Sequence, residues 1–94
     1  MTTAEGVGPV LEAGEVANAI VAAIRESNSD VEVQNRGSYL RVTVSERCVL
    51  PVRVVERILG REFRVPSDLE LLMPAFSGKI SFSADEVVWR RGGS

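Results

Sequence analysis

The apolar residues of this chain change their period near Asp30, and that change constrains the fold more than any other feature. Upstream, Val16, Ile20 and Ile24 recur at four-residue steps, with Ala17, Val21 and Ala23 beside them. Such spacing puts one apolar stripe on a helix that opens at Gly14, leaving Glu15, Asn18 and Arg25 outside it. Ser27-Asn28-Ser29-Asp30 then stops the helix with side chains that compete for backbone hydrogen bonds. Downstream the period falls to two. Val31 and Val33 face one way, and Leu40, Val42 and Val44 alternate with Tyr39, Arg41 and Thr43. Between them Asn35-Arg36-Gly37-Ser38 supplies turn chemistry, with Gly37 free to take a positive φ. The pattern predicts a β-hairpin with one wet face.

The remaining segments follow the same rules. Val7-Gly8-Pro9-Val10-Leu11 is short and apolar; Pro9 has no amide N–H to give a ladder, which predicts an edge strand. Ser45-Glu46-Arg47 turns into a brief extended piece from Cys48 to Leu50. Pro51 suits the first turn of a second helix, with Val54, Val55, Ile58 and Leu59 inward and Gly60 at a left-handed end. Ser67 and Glu70 have capping-box spacing, predicting a short helix through Leu69, Leu72 and Met73 that Pro74 ends. Ile80 and Phe82, then Val87 and Trp89, alternate around Ser83-Ala84-Asp85-Glu86 as a second hairpin. Residues 1–6 and 90–94 read as flexible ends. The expectation is one α+β domain over residues 1–94, in the order β-α-β-β-α-(α)-β-β, with helices packed on antiparallel hairpins.

Composition narrows the function. The 94 residues include no His and one Cys, yet 45% are hydrophobic, enough to fold. Most acid–base, nucleophilic and metal chemistry draws on positioned His or Cys. Glu56, Asp68, Glu70, Asp85 and Glu86 could be imagined as paired carboxylates, but Glu70 is better explained as a helix cap and Asp85-Glu86 as solvated turn residues. Gly6-x-Gly8 lacks the strand-before, helix-after context of a dinucleotide fingerprint. Cys48, beside Val49 and Leu50, reads as a small core residue, and Trp89 as a core aromatic whose indole N–H wants a partner. With 11 basic and 13 acidic residues scattered along the chain, no basic stripe points to nucleic acid. The apolar run from Ala19 to Ile24 is far short of the roughly 20 residues a membrane span needs. No signal-peptide pattern is present, so a cytoplasmic protein without nucleic-acid or membrane partners is expected. A non-catalytic binding module is the first reading. A small-molecule-sensing regulatory domain of ferredoxin-like type is the alternative, since its element order is similar.

Two apolar segments admit a functional reading beside a structural one: the loop Met73-Pro74-Ala75-Phe76-Ser77-Gly78, where Phe76 is either a buried anchor or part of an exposed contact patch, and the opening Val7-Gly8-Pro9-Val10, either an edge strand or a partner-contacting arm. Together with Ala13-Gly14-Glu15-Val16, Gly37-Ser38-Tyr39-Leu40-Arg41-Val42, Leu59-Gly60-Arg61-Glu62-Phe63 and Phe76-Ser77-Gly78-Lys79-Ile80, they form an ordered set. In order and spacing that set resembles the coupling (effector or regulatory) proteins of soluble bacterial multicomponent di-iron monooxygenases, over roughly Val7 to Trp89. That family includes the regulatory components of phenol hydroxylase and of toluene, alkene and methane monooxygenases. Asn28-Ser29-Asp30 replaces an Asn-Pro-Gly-like turn of many relatives. Six residues precede Val7, where the methane enzyme's component has a long tail, and this points to the aromatic- or alkene-oxidising branch.

The resemblance implies a protein without a cofactor of its own, docking on the hydroxylase subunits that hold the di-iron centre. It implies that docking reshapes the partner's active site and couples NADH oxidation to hydroxylation or epoxidation, in possible competition with the reductase or ferredoxin component. The segment matching the family's active-site-facing stretch is Leu72, Met73, Pro74, Ala75, Phe76, Ser77 and Gly78, with Phe76 as main anchor. Val7, Gly8, Pro9 and Val10, with Asn35, Arg36, Tyr39 and Arg41 of the hairpin, are further expected contacts.

Overall fold

The computed structural model describes residues 6–92. Its elements are β1 (Gly8–Glu12), α1 (Glu15–Ser27), β2 (Glu32–Asn35), β3 (Tyr39–Thr43), β4 (Arg47–Pro51), α2 (Val52–Leu59), α3 (Ser67–Glu70), β5 (Ala75–Ser77), β6 (Lys79–Phe82) and β7 (Glu86–Arg90). The strands make two antiparallel sheets, β2-β3-β1-β5 and β4-β7-β6. Both expected hairpins form, β2–β3 with Val33 opposite Val42 and β6–β7 with Ile80 opposite Trp89.

One hydrophobic cluster joins the sheets and helices. Leu11, Leu40 and Val42 come from the first sheet, Cys48, Leu50, Val87 and Trp89 from the second, and Ile20, Ile24 and Val55 from the helices. On α1 the fully buried stripe is Ala17, Ile20, Ala23 and Ile24, while Val16 and Val21 sit at its margins. On α2 the inward residues are Val52 and Val55; Ile58, expected inside, is half-exposed. Gly60 closes α2 in the left-handed region (φ 75°), its N–H donating to the Glu56 carbonyl at 2.8 Å.

Several expectations are corrected. β1 is an interior strand, flanked by β3 and β5. Pro9 is accommodated because the two partners are staggered: β3 pairs with Val10, Leu11 and Glu12, whereas β5 pairs with Gly8, Pro9 and Val10. The β3-side register resumes beyond Pro9 at Val7, which exchanges two backbone hydrogen bonds with Val44 at 2.8 and 2.9 Å. The Cys48 region is a full strand, and Pro51 ends it as the extended N-cap of α2 (φ −80°, ψ 121°). The Ser67–Glu70 capping box does not form. Pro66 holds the N-cap position, and the loop is bound instead by Asp68, whose Oδ2 accepts from the Arg64 N–H at 2.7 Å. The apolar loop after Met73 contains a strand, β5, because β1 offers it a free edge. Of the flexible ends, residues 1–5 and 93–94 lie outside the described residues. Arg90 completes β7, and the Arg91 N–H donates to the Glu46 carbonyl at 3.1 Å.

Asn28 does more than stop α1. Its Nδ2 donates to the carbonyls of Ile24 at 2.7 Å and Val49 at 2.8 Å, and its Oδ1 accepts from the Val49 N–H at 3.0 Å. One side chain thereby closes the helix end and satisfies the outer edge of β4, which would otherwise invite strand pairing.

Candidate docking surface

Register defines which side chains share a face of the first sheet. Gln34, Arg41, Val10 and Ala75 stand in one row across its four strands. Arg41, Gln34 and Ala75 are exposed and Val10 half-buried, so this is the solvent face. Tyr39, opposite Glu12 one row along, keeps 40% of its surface exposed. The adjoining row, Val33-Val42-Pro9-Phe76, points to the core. Pro9 and Val42 are fully buried there, but Phe76 is on the terminal strand with no further strand to cover it, and remains 42% exposed. Ala75 and Phe76 thus lie on opposite faces of β5. A partner touching both must meet the open edge of this strand rather than either face.

Backbone bonds hold the neighbouring segments against that edge. The Glu12 N–H donates to the Leu72 carbonyl at 2.8 Å, and the Ala13 N–H to the Ser38 carbonyl at 3.0 Å. They bring the α3–β5 connection and the hairpin tip to one end of β1. Between them is a hollow of about 550 Å³ lined by Val10, Glu12, Ala13, Ser38, Tyr39 and Pro74. The tip itself is preset: Gly37 has φ 86°, and its N–H donates to Asn35 Oδ1 at 2.9 Å. Arg36 Nη2 donates to Gln34 Oε1 at 3.2 Å. On the other side of the connection, Leu71 and Leu72 line a second hollow of about 340 Å³ with Val16, Leu59 and Phe63.

The expected contact residues therefore divide. Pro74, Ala75 and Phe76 are exposed at the β5 edge, with Leu72 and Ser77 half-buried beside them; Tyr39 and Arg41 are exposed on β3, two strands away across half-buried Val10; Asn35 and Arg36 are exposed at the hairpin tip, and Gly78 follows β5. Of the other expected contacts, Val7, Gly8, Pro9 and Met73 are buried and support this surface from beneath. The opening segment is apolar because it is core. Leu71, outside the expected stretch, is the most exposed large apolar residue among the described residues, at 80%. Its signal is present in the sequence: inward Leu69, Leu72 and Met73 leave position 71 facing out.

Two of the five carboxylates considered earlier, Glu56 and Asp68, hold backbone amides. Glu56 Oε2 accepts from the Phe63 N–H at 3.0 Å, as Asp68 does from Arg64. No group of three His, Cys, Asp or Glu gathers among the described residues. No described helix is long and apolar enough to cross a membrane. Cys48 is buried, and burial pushes its thiol up to about 12. Trp89 is fully buried, with Nε1 lacking a hydrogen-bond partner among the described residues.

Two antiparallel sheets, three short helices and an open β5 edge carrying exposed Phe76 make this a small α+β protein with a candidate docking surface. The chain belongs to the MmoB/DmpM family, whose model matches residues 5–90. It is 38% identical over 85 residues to the alkene monooxygenase system effector subunit of Xanthobacter autotrophicus, covering 88% of this chain and 83% of that protein. Its fold is similar to a chain in the structure of a phenol hydroxylase–regulatory protein complex, with TM-score 0.79 and 21% identity over 89% of this chain and 95% of that one. It is also similar to the soluble methane monooxygenase regulatory protein B, with TM-score 0.70 and 18% identity over 96% of this chain and 67% of that one.

Proposed function

We propose that this chain is the effector subunit of a multicomponent monooxygenase and binds the hydroxylase that carries the di-iron centre. The observation that carries the reading is the 38% identity, across most of both chains, to the effector subunit of an alkene monooxygenase system. That relative also favours an alkene over an aromatic substrate for the partner. The chain performs no bond-making. It binds the hydroxylase through the β5 edge, with Phe76, Pro74 and Leu71 as apolar contacts and Tyr39 and Arg41 flanking them.

Binding acts by population shift. An effector that prefers the active hydroxylase conformation moves the equilibrium only by the difference between its two affinities. A tenfold shift needs about 1.4 kcal/mol, within reach of one or two well-buried apolar side chains. The reshaped site then couples NADH oxidation to epoxidation or hydroxylation. The reductase or ferredoxin competes for overlapping hydroxylase surface, and the complex assembles in the cytoplasm.

The deciding experiment combines purified hydroxylase, electron-transfer components and alkene with and without this chain. The expected result is a several-fold rise in turnover and more product per NADH. An unchanged product yield per NADH would overturn the proposal. The ferredoxin-like sensing alternative loses support because the strands divide into two sheets instead of one four-stranded sheet.

A further inference from the structure

The outer face of the second sheet carries a row with no evident benefit to the fold. Arg47 on β4 stands opposite Arg90 on β7, and Arg90 stands opposite Lys79 on β6. All three side chains are exposed. Cross-strand neighbours lie about 5 Å apart, and like charges directly opposite one another destabilise a sheet. The ion pairs among the described residues engage Arg57, Arg61, Arg64 and Arg91, and none of these three. The acid nearest in sequence, Glu46, is 3.4 Å from Arg91.

Edge protection accounts for one member at most. Lys79 lies on the terminal strand β6, where a lysine discourages pairing with another chain. Arg90 is on the middle strand, and Arg47 is on the other terminal strand, β4, whose outer edge Asn28 already occupies at Val49. Net charge offers no explanation either, since the chain as a whole is −2. The concentration of cations is local. It also borders the proposed contact edge, because only Gly78 separates β5 from Lys79, and a Cβ at Gly78 would come within 2.5 Å of the Arg90 carbonyl oxygen.

We infer that Arg47, Arg90 and Lys79 form a second docking contact for an acidic strip on the hydroxylase. Three cations at strand spacing match carboxylates on successive turns of one helix, which are about 5–6 Å apart. Such a contact steers the encounter and fixes orientation, while the β5 edge supplies apolar contact. The inference rests on the effector reading above.

The test measures association of the full chain with purified hydroxylase by stopped flow at low and high salt, together with thermal melting. Combined Arg47→Gln, Lys79→Gln and Arg90→Gln substitutions are expected to slow association about tenfold at low salt and flatten its salt dependence. Melting should be unchanged or higher, because repulsion is relieved. Arg47→Lys with Arg90→Lys, which keeps the charges, should associate like the wild type. Wild-type rate and salt dependence in the Gln variant would overturn the inference and leave the effector reading standing. So would a clearly lower melting temperature, which would assign the row to the fold. If the wild-type chain itself does not associate with hydroxylase, the effector reading fails and the inference falls with it.

Discussion

Pro9 and Phe76 stand opposite each other across the β1–β5 pairing, one fully buried and the other 42% exposed. The buried ring of Pro9 backs the strand that displays Phe76. Truncating Phe76 should therefore separate docking from folding. Phe76→Ala is expected to cost about 1 kcal/mol of stability, because only part of the ring is removed from water. Stimulation of the hydroxylase should fall about tenfold. Trp89→Ala, wholly within the core, should cost about 3–5 kcal/mol. Urea unfolding of each variant, set against product per NADH, checks the contrast.

Gly78 leaves no room for a side chain where the backbone passes from β5 to β6. It has φ 97°, and an added Cβ would meet the Arg90 carbonyl oxygen at 2.5 Å and Val7 Cγ1 at 2.8 Å. Gly78→Ala combines an unfavourable φ with overpacking against backbone, for an expected loss of about 2–4 kcal/mol. Gly37 has a similar φ of 86° but open space around it, so Gly37→Ala should cost only about 1–2 kcal/mol. Equal denaturant midpoints for the two variants would contradict the packing argument.

Asn28→Ala removes three hydrogen bonds and leaves both polar groups of Val49 without their partner. At about 1 kcal/mol per bond the expected loss is roughly 3 kcal/mol. Asn28→Asp keeps an acceptor for the Val49 N–H but brings carboxylate oxygens against two carbonyls, so it should also destabilise. Amide exchange at Val49 gives a local readout: it should quicken in the Ala variant more than exchange in the β2–β3 hairpin.

The Cys48 thiol, pushed from 9.0 up to about 12 by burial, should resist thiol reagents at neutral pH until the chain unfolds. Its linkage has a definite sign. Below pH 9 the folded and unfolded chains both hold the proton. Between pH 9 and 12 only the unfolded chain releases it, so stability falls as pH rises through that window. Cys48→Ala should abolish this part of the alkaline slope, as measured by urea midpoints from pH 8 to 11.

Local rules made α1, the two hairpins and the Gly60 cap legible, because each depends on residues within a few positions of one another. Pairings between distant segments were not legible. Nothing near Pro9 announces that Phe76 will lie beside it, so an interior strand reads as an edge and β5 reads as a loop. The candidate contact segment, Leu72 to Gly78, is marked in the sequence by its apolar character. The same signal at Val7 to Pro9 had a different cause, burial in the core. Leu71 is turned outward by the helical spacing of its neighbours Leu69, Leu72 and Met73. The cationic row depends on register between β4, β7 and β6, and three residues separated by 32 and 11 positions carry no local mark of being neighbours.

The passage of a single strand from one sheet to the other at Gly78 has a mechanical meaning. β5 and β6 are one length of chain interrupted by one residue, and that residue is wedged against Val7 and Arg90. The sheets are in effect riveted at this point. The two sheets therefore share one continuous stretch of backbone, with only Gly78 between them and no room there for a side chain.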